Sequence, residues 1–430
     1  MPVMHALLDH WVIILATVIV TAIGALFALN LTTPEERIQR RIARLYAADS
    51  PMFRRSMGLL LGPAILPGNR VEILLNGDEI FPAMLAAIRA AEKTITLETF
   101  IYWSADIGKQ FAQALADKAK RGVKVHVLLD WLGCDKIDDS YVVMIRDAGG
   151  QVEKFHPVRW HNLGRLNDRN HRKVLVVDGS IGFTGGVGIA EEWTGRAQDA
   201  AHWRDSHFRV QGPVVAQMQA VFLDSWMKAT GHVLHGDDYF PQLSSAGDGH
   251  AQMFSSSPSG GGESMHLIYL LAITAAERSI LLANAYFLPD DLTLRTLIDA
   301  LKRGVRVRIM TPGKHIDESI VRRASRAGWG DLLRAGAEIY EYQPTMFHCK
   351  TMVIDDCMVS VGSTNFDPRS FRLNDEANLN VYDPDTAAAL SAVFEDDLLR
   401  CLLVTYESWR TRPLRMKLWE KADALIRSQL

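Results

Sequence analysis

Three short segments recur in the same order in the two halves of this chain, and each series ends on the same His-x-Lys pattern. Ala91-Glu92-Lys93-Thr94-Ile95 is matched by Ala276-Glu277-Arg278-Ser279-Ile280. Lys120-Arg121-Gly122-Val123-Lys124-Val125 is matched by Lys302-Arg303-Gly304-Val305-Arg306-Val307, and Ala148-Gly149 before Val152 by Ala335-Gly336 before Ile339. An internal duplication settles the architecture before any single residue does. Each copy reads helix, strand, helix, strand, helix, strand, the alternation of an α/β sandwich. Apolar residues at helical spacing from Phe81 to Ile88, and an Arg-Gly pair where a helix must end, agree with that reading. With 430 residues, 48% of them apolar, the chain has material for two such cores. The expected fold is therefore α/β: two pseudo-symmetric αβα sandwich halves, residues 67–245 and 246–430. Gly236 to Gly262, rich in Ser, Gly, Asp and Pro, reads as the linker. Within it, Ser255 to Gly262 reads either as an anion cradle or as a flexible connection.

Residues 1–66 are expected to hold an N-terminal transmembrane helix and a juxtamembrane linker. Trp11 to Leu29 runs without a charge and is long enough to cross a hydrocarbon core. No Lys or Arg precedes Trp11, unlike the basic start of a cleavable signal peptide. Arg37, Arg40, Arg41 and Arg44 follow the run, and the positive-inside rule then places the bulk of the chain on the cytoplasmic side of the inner membrane, as a single-pass protein. Glu35 to Ala48 reads as a short basic helix at the membrane surface, or as a solvated linker. The net charge of −3 supplies no basic field for a nucleic-acid partner. Cys134, Cys349, Cys357 and Cys401 show neither metal-ligand spacing nor a paired framework.

The repeated pattern itself is His171-Arg172-Lys173 running to Asp178, and His348-Cys349-Lys350 running to Asp355. Alternate side chains of a strand share a face, so each histidine and its lysine project together. Two such strands facing each other gather two imidazoles and two ammonium groups, a set suited to phosphodiester chemistry. A neutral imidazole can attack phosphorus to give a phosphohistidine, and a second can pass the proton to and from the departing and entering oxygens. Lysines and neutral amides would hold the phosphate oxygens. No metal or cofactor is called for.

These two HxKxxxxD patterns resemble those of the phospholipase D superfamily, and their flanks resemble its bacterial cardiolipin synthase branch. The second copy continues through Gly362-Ser363-Thr364-Asn365-Phe366-Asp367-Pro368-Arg369-Ser370 to Leu373-Asn374-Asp375-Glu376; around the first stand Asn170, Gly185-Gly186, Glu192-Trp193 and Trp203-Arg204-Asp205. The resemblance runs from about Val71 to the C-terminus. It implies His171 as nucleophile and His348 as general acid, with Lys173, Lys350 and Asn365 on the phosphate. Asp205 and Glu376 would each orient the histidine of their own half. Asp178 and Asp355 belong to the same site motif, although organising the following turn suits them better than touching substrate. Gly188 stands where the pattern's first copy usually has asparagine, so one phosphate donor is missing or is replaced by a backbone amide that glycine lets approach closely. The activity implied is that of a membrane-anchored phosphatidyltransferase condensing two phosphatidylglycerols to cardiolipin and glycerol. The alternatives are phospholipase D-type hydrolysis and, further off, nuclease chemistry. Phospholipid and membrane are the expected partners; the oligomeric state is open.

Two further segments carry double readings. Glu98-Thr99-Phe100-Ile101-Tyr102-Trp103 and Asn284-Ala285-Tyr286-Phe287 would line a lipid entrance or pack at strand ends. The basic amphipathic stretch from Ile320 through Arg322, Arg323 and Arg326 to Leu333 would lie on an anionic bilayer or form an ordinary surface helix.

Overall fold

A computed structural model describes residues 2–31, 41–155, 168–258 and 264–424. The chain opens with helix α1 (Pro2–Leu31) and, further on, α2 (Pro51–Leu60). Then come β1 (Leu66–Leu75), α3 (Asn76–Ala90), β2 (Thr94–Thr99), α4 (Asp106–Lys120), β3 (Lys124–Asp130), α5 (Asp139–Asp147) and β4 (Gln151–Phe155). The two-residue strand β5 (Arg169–Asn170) precedes His171, and β6 (Val174–Val177), β7 (Ile181–Gly185), β8 (Ser206–Gln211) and α6 (Val215–Thr230) follow it. The order then repeats with β9 (Gly249–Ser256), α7 (Ser264–Ala275), β10 (Ser279–Asn284), α8 (Asp291–Lys302), β11 (Arg306–Pro312), α9 (Ser319–Ala327), α10 (Trp329–Arg334) and β12 (Glu338–Tyr342). Next are β13 (Lys350–Ile354), β14 (Met358–Gly362), α11 (Pro368–Arg372), β15 (Asn374–Tyr382) and α12 (Pro384–Leu398). The described chain ends with β16 (Cys401–Val404), α13 (Tyr406–Arg410) and α14 (Leu414–Ala424).

The strands join one mixed sheet, and its order exposes the duplication. From the outside inward, one half reads β4-β3-β2-β6-β7-β8-β1 and the other β12-β11-β10-β13-β14-β15-β9 with β16 added antiparallel outside β12, and β1 and β9 pair antiparallel at the junction. β2–β3–β4 and β10–β11–β12 are parallel, as helical crossovers require, whereas β6 and β13 enter antiparallel. Helices α3, α4 and α5 bury Phe81, Phe111, Leu115 and Ile145 on one face of the first half; α7, α8 and α10 do the same in the second with Ile273, Leu297 and Leu332. α6 and α12 cover the opposite face, and their Met218, Leu390 and Phe394 share one cluster with Val176 and Val361. Gly122 and Gly304 end α4 and α8 with φ of 89° and 91°, the left-handed turn the repeated Arg-Gly pair anticipates.

Two expectations change here. The linker Gly236–Gly262 contains β9, which pairs with both β1 and β15. Ala251, Gln252, Met253 and Phe254 are buried in succession, so the strand shows no alternation to betray it. Ser255 and Ser256 belong to that strand, while 259–262 of the proposed cradle lie outside the described residues. The surface helix expected over Glu35–Ala48 is not helical where described, from Arg41 on. There Arg41 bridges to Asp299 at 3.2 Å, Arg44 pairs with Glu277, and Ala48 is buried with the core of the second half. Arg37 and Arg40 lie outside the described residues. α1 contains the expected span, with side chains described for residues 10–25; among the described residues no helix is long and apolar enough to cross a membrane.

Candidate active site

His171 and His348 do not sit in their ladders; each lies just before its strand, and its backbone pairs with the other half. β5 runs parallel to β15, and the His171 amide donates to Asp375 O at 2.9 Å. Reciprocally, Arg204 bridges to Phe347, and the His348 amide donates to Arg204 O at 2.8 Å. The halves thus exchange strand ends across the pseudo-dyad.

That exchange decides the carboxylates. His171 Nδ1 donates to Glu376 at 3.0 Å, and His348 Nδ1 donates to Asp205 Oδ2 at 2.8 Å. Each histidine is oriented by the opposite half, which corrects the expectation of pairing within a half. Because a carboxylate only accepts, each Nδ1 carries the proton and each Nε2 keeps its lone pair. Both carboxylates are buried and held in turn: Asp205 by Trp193 Nε1 at 3.0 Å and the Ser206 amide at 2.8 Å, Glu376 by the Ser363 hydroxyl and by Asn374 Nδ2 at 3.2 Å. Gly186 occupies the place of Ser363 in the first copy. A Cβ there would fall 2.3 Å from Asp205 Oδ1, so glycine is what admits the shorter carboxylate.

Both imidazoles open into one cavity of about 350 Å³. Lys173 lines it and donates to His171 O at 3.0 Å; the buried Lys350 donates to His348 O at 2.8 Å and lies 3.2 Å from His348 Nε2. Asn365 also lines it, and its Oδ1 is buried without a hydrogen-bond partner. Phe100, Ile101, Trp203 and Val321 give the wall an apolar side, and Arg169, Arg369, Asp317 and Asp367 add charge. Burial pushes the His171 imidazole down to about 4, with Lys173 helping and Glu376 opposing. Burial and then Lys350 lower His348, and burial with Lys350 brings Lys173 down to about 7. For Asp205 and Glu376 burial acts upward but is outweighed by the facing histidine, so both lie below the usual carboxylate range.

Three of the motif residues are elsewhere. Asp178 accepts from the amides of Glu92, Lys93 and Thr94, and Asp355 from those of Glu277, Arg278 and Ser279. Both have φ of 50° and stand at the far ends of β6 and β13, pinning them to the start of the neighbouring strand. They organise a turn and do not line the cavity. Gly188 is buried against Ile101, where a Cβ would meet Ile101 Cβ at 2.8 Å, and Ile101 rather than Gly188 lines the cavity. Packing explains this glycine.

Of the double readings, Phe100, Ile101 and Tyr286 line the cavity, whereas Tyr102 and Trp103 bond to Gly108 O and Gly133 O and pack. The arginines of α9 are neutralised: Arg322 and Arg326 each meet Glu341 at 2.7 Å, and Arg323 pairs with Asp423. Ser363, Asn374 and Trp203 are site residues that the sequence reading left without a role. The mismatch of Gly185-Gly186 with Gly362-Ser363, beside Asp205 against Glu376, was the available signal for Ser363.

The sequence matches the family described as cardiolipin synthase, PLD-like domain, over residues 84–226 and 269–398. It is 36% identical to a cardiolipin synthase of Geobacillus kaustophilus over 87% of this chain and 75% of that protein. It is 38% identical to the major cardiolipin synthase ClsA of Bacillus subtilis over 83% of this chain and 75% of that protein. In structure it is similar to a phosphatidylserine synthase of Haemophilus influenzae, with a TM-score of 0.67, 15% identity, and coverage of 88% of this chain and all of that one.

Proposed function

The chain belongs to the cardiolipin synthase family with its phospholipase D-like domain, and from that premise we propose that it condenses two phosphatidylglycerols to cardiolipin and glycerol through a phosphohistidine. The observation that carries the reading is the single cavity shared by His171 and His348, each backed by a carboxylate from the opposite half. In the first step the lone pair on His171 Nε2 attacks phosphorus and the bond to the glycerol oxygen breaks. His348, protonated as the anionic phosphate enters beside it, gives its Nε2 proton to that oxygen. In the second step a hydroxyl of another phosphatidylglycerol loses its proton to His348 and attacks the same phosphorus, which releases His171. Lys173, Lys350 and Asn365 hold the non-bridging oxygens throughout.

The apolar wall of Phe100, Ile101, Trp203 and Val321 favours a lipid alcohol over water as acceptor. The two halves, residues 67–245 and 246–430, each supply one histidine and one carboxylate. Within residues 1–66 the membrane anchor is the apolar helix at about 11–29, and the remainder is the juxtamembrane linker. Support for that role is α1 itself, where the consecutive Trp11, Val12, Ile13 and Ile14, which point to different sides of an apolar helix, are all exposed. By the positive-inside rule, Arg37, Arg40, Arg41 and Arg44 after the apolar run put the bulk of the chain on the cytoplasmic side of a single pass.

Purified protein incubated with phosphatidylglycerol vesicles is expected to yield cardiolipin and free glycerol in equal amounts. Phosphatidic acid with glycerol and no cardiolipin would instead identify a hydrolase.

A further inference from the structure

Helix α14 packs on α9 with its polarity reversed. Glu420, 1% exposed, accepts from Arg412 Nε at 2.6 Å and lies 3.4 Å from Arg326 Nε, while Asp423 pairs with Arg323. The outward face carries Leu414, Leu418 and Trp419, which are 76%, 68% and 58% exposed. A surface helix ordinarily buries its apolar stripe and solvates its charges. Here the acids are buried against the arginines of α9, and the large apolar side chains are left outside. The charges that remain exposed on α14, Arg415 and Lys421, are both basic.

We propose that this face of α14 docks on an anionic lipid surface, which rests on the reading that the substrate is a phospholipid. Leucine and tryptophan interleaved with Arg and Lys are what an interfacial helix presents to headgroups and the upper acyl region. The alternative occupant, a second copy of this chain, would set the same basic residues against themselves. The location adds to the argument. α14 lies on α9, whose first turn contributes Val321 to the cavity, with Glu318 just before it. A bilayer meeting α14 would therefore lie beside the element that borders the site. The basic character of α9, which the sequence suggested for membrane contact, is used internally to hold α14.

Hydrogen exchange of residues 414–424 in the full-length protein tests this, in vesicles of phosphatidylglycerol and of phosphatidylcholine. Slower exchange in the anionic vesicles is expected. Equal exchange in both, or protection in lipid-free detergent that grows with protein concentration, would overturn the proposal, the latter in favour of a second copy. A companion assay uses Leu418→Ser/Trp419→Ser and Arg415→Glu/Lys421→Glu. Each should lower kcat/KM on vesicle-embedded phosphatidylglycerol, by at least about fivefold per reversed charge in the second variant. Turnover of a monomeric short-chain phosphatidylglycerol should be unchanged. An equal loss on both substrates, or no loss on vesicles, would contradict docking. A wild-type protein making no cardiolipin from either substrate would sink the functional reading, yet the exchange comparison would still decide the docking.

Discussion

At the scale of single residues, the crossed pairing of His171 with Glu376 and of His348 with Asp205 makes the sharpest demand. Asp205→Asn should perturb the tautomer of His348 and leave His171 alone; Glu376→Gln should do the reverse. Histidine-selective nitrogen NMR reads this, and a response confined within each half would refute the exchange. In both variants kcat should fall about 10²- to 10⁴-fold, the range seen when an orienting carboxylate is removed from a catalytic histidine. Gly188→Asn offers a contrasting test. It restores the usual residue of the pattern, yet Ile101 leaves no room for it. The expected outcome is a loss of about 1–3 kcal/mol in thermal unfolding rather than a gain in rate. The HxK pairs were legible because their geometry depends only on a spacing of two along an extended segment. The partner of each histidine was not, because it depends on β5 meeting β15 and on Arg204 meeting Phe347, contacts between segments roughly 140 to 200 residues apart.

At the scale of elements, the ends of β6 and β13 are pinned by one carboxylate each. Asp178→Ala and Asp355→Ala remove the acceptor for several backbone amides and should each destabilise the protein by about 1–3 kcal/mol. KM and the folded-state kcat should stay near wild type when measured well below the melting temperature. A selective collapse of kcat with an unchanged melting curve would return these residues to the active site. The α/β alternation was visible because α4 and α8 keep helical periodicity and end at Gly122 and Gly304. β9 was hidden because both of its faces are buried within a Ser- and Gly-rich stretch. α14 was hidden because its polarity only makes sense against the arginines of α9.

At the scale of the whole molecule, buried titratable groups pull stability in opposite directions with pH. Burial brings His171 and His207 down to about 4, against about 6.5 unfolded. Between those values the unfolded chain binds protons that the folded chain refuses, so each contributes a loss of stability as pH falls from 6.5 toward 4. Burial raises Glu98 and Asp367 to about 7, so across the window from 4.5 to 7 they contribute the opposite slope. His207→Asn should therefore soften the drop in melting temperature on acidification, and Glu98→Gln should steepen it. Differential scanning calorimetry from pH 7.5 to 5 reads both, and slopes matching wild type would contradict the burial-driven shifts.

The most direct test of the central claim is a crystal structure of the protein with orthovanadate, a stand-in for the phosphoryl group in transfer. One vanadium is expected, bonded to Nε2 of one histidine, with Nε2 of the other within hydrogen-bond distance of an apical oxygen and both lysines on equatorial oxygens. Vanadate bound through Nδ1, or two ions in separate places each seen by one histidine, would contradict it.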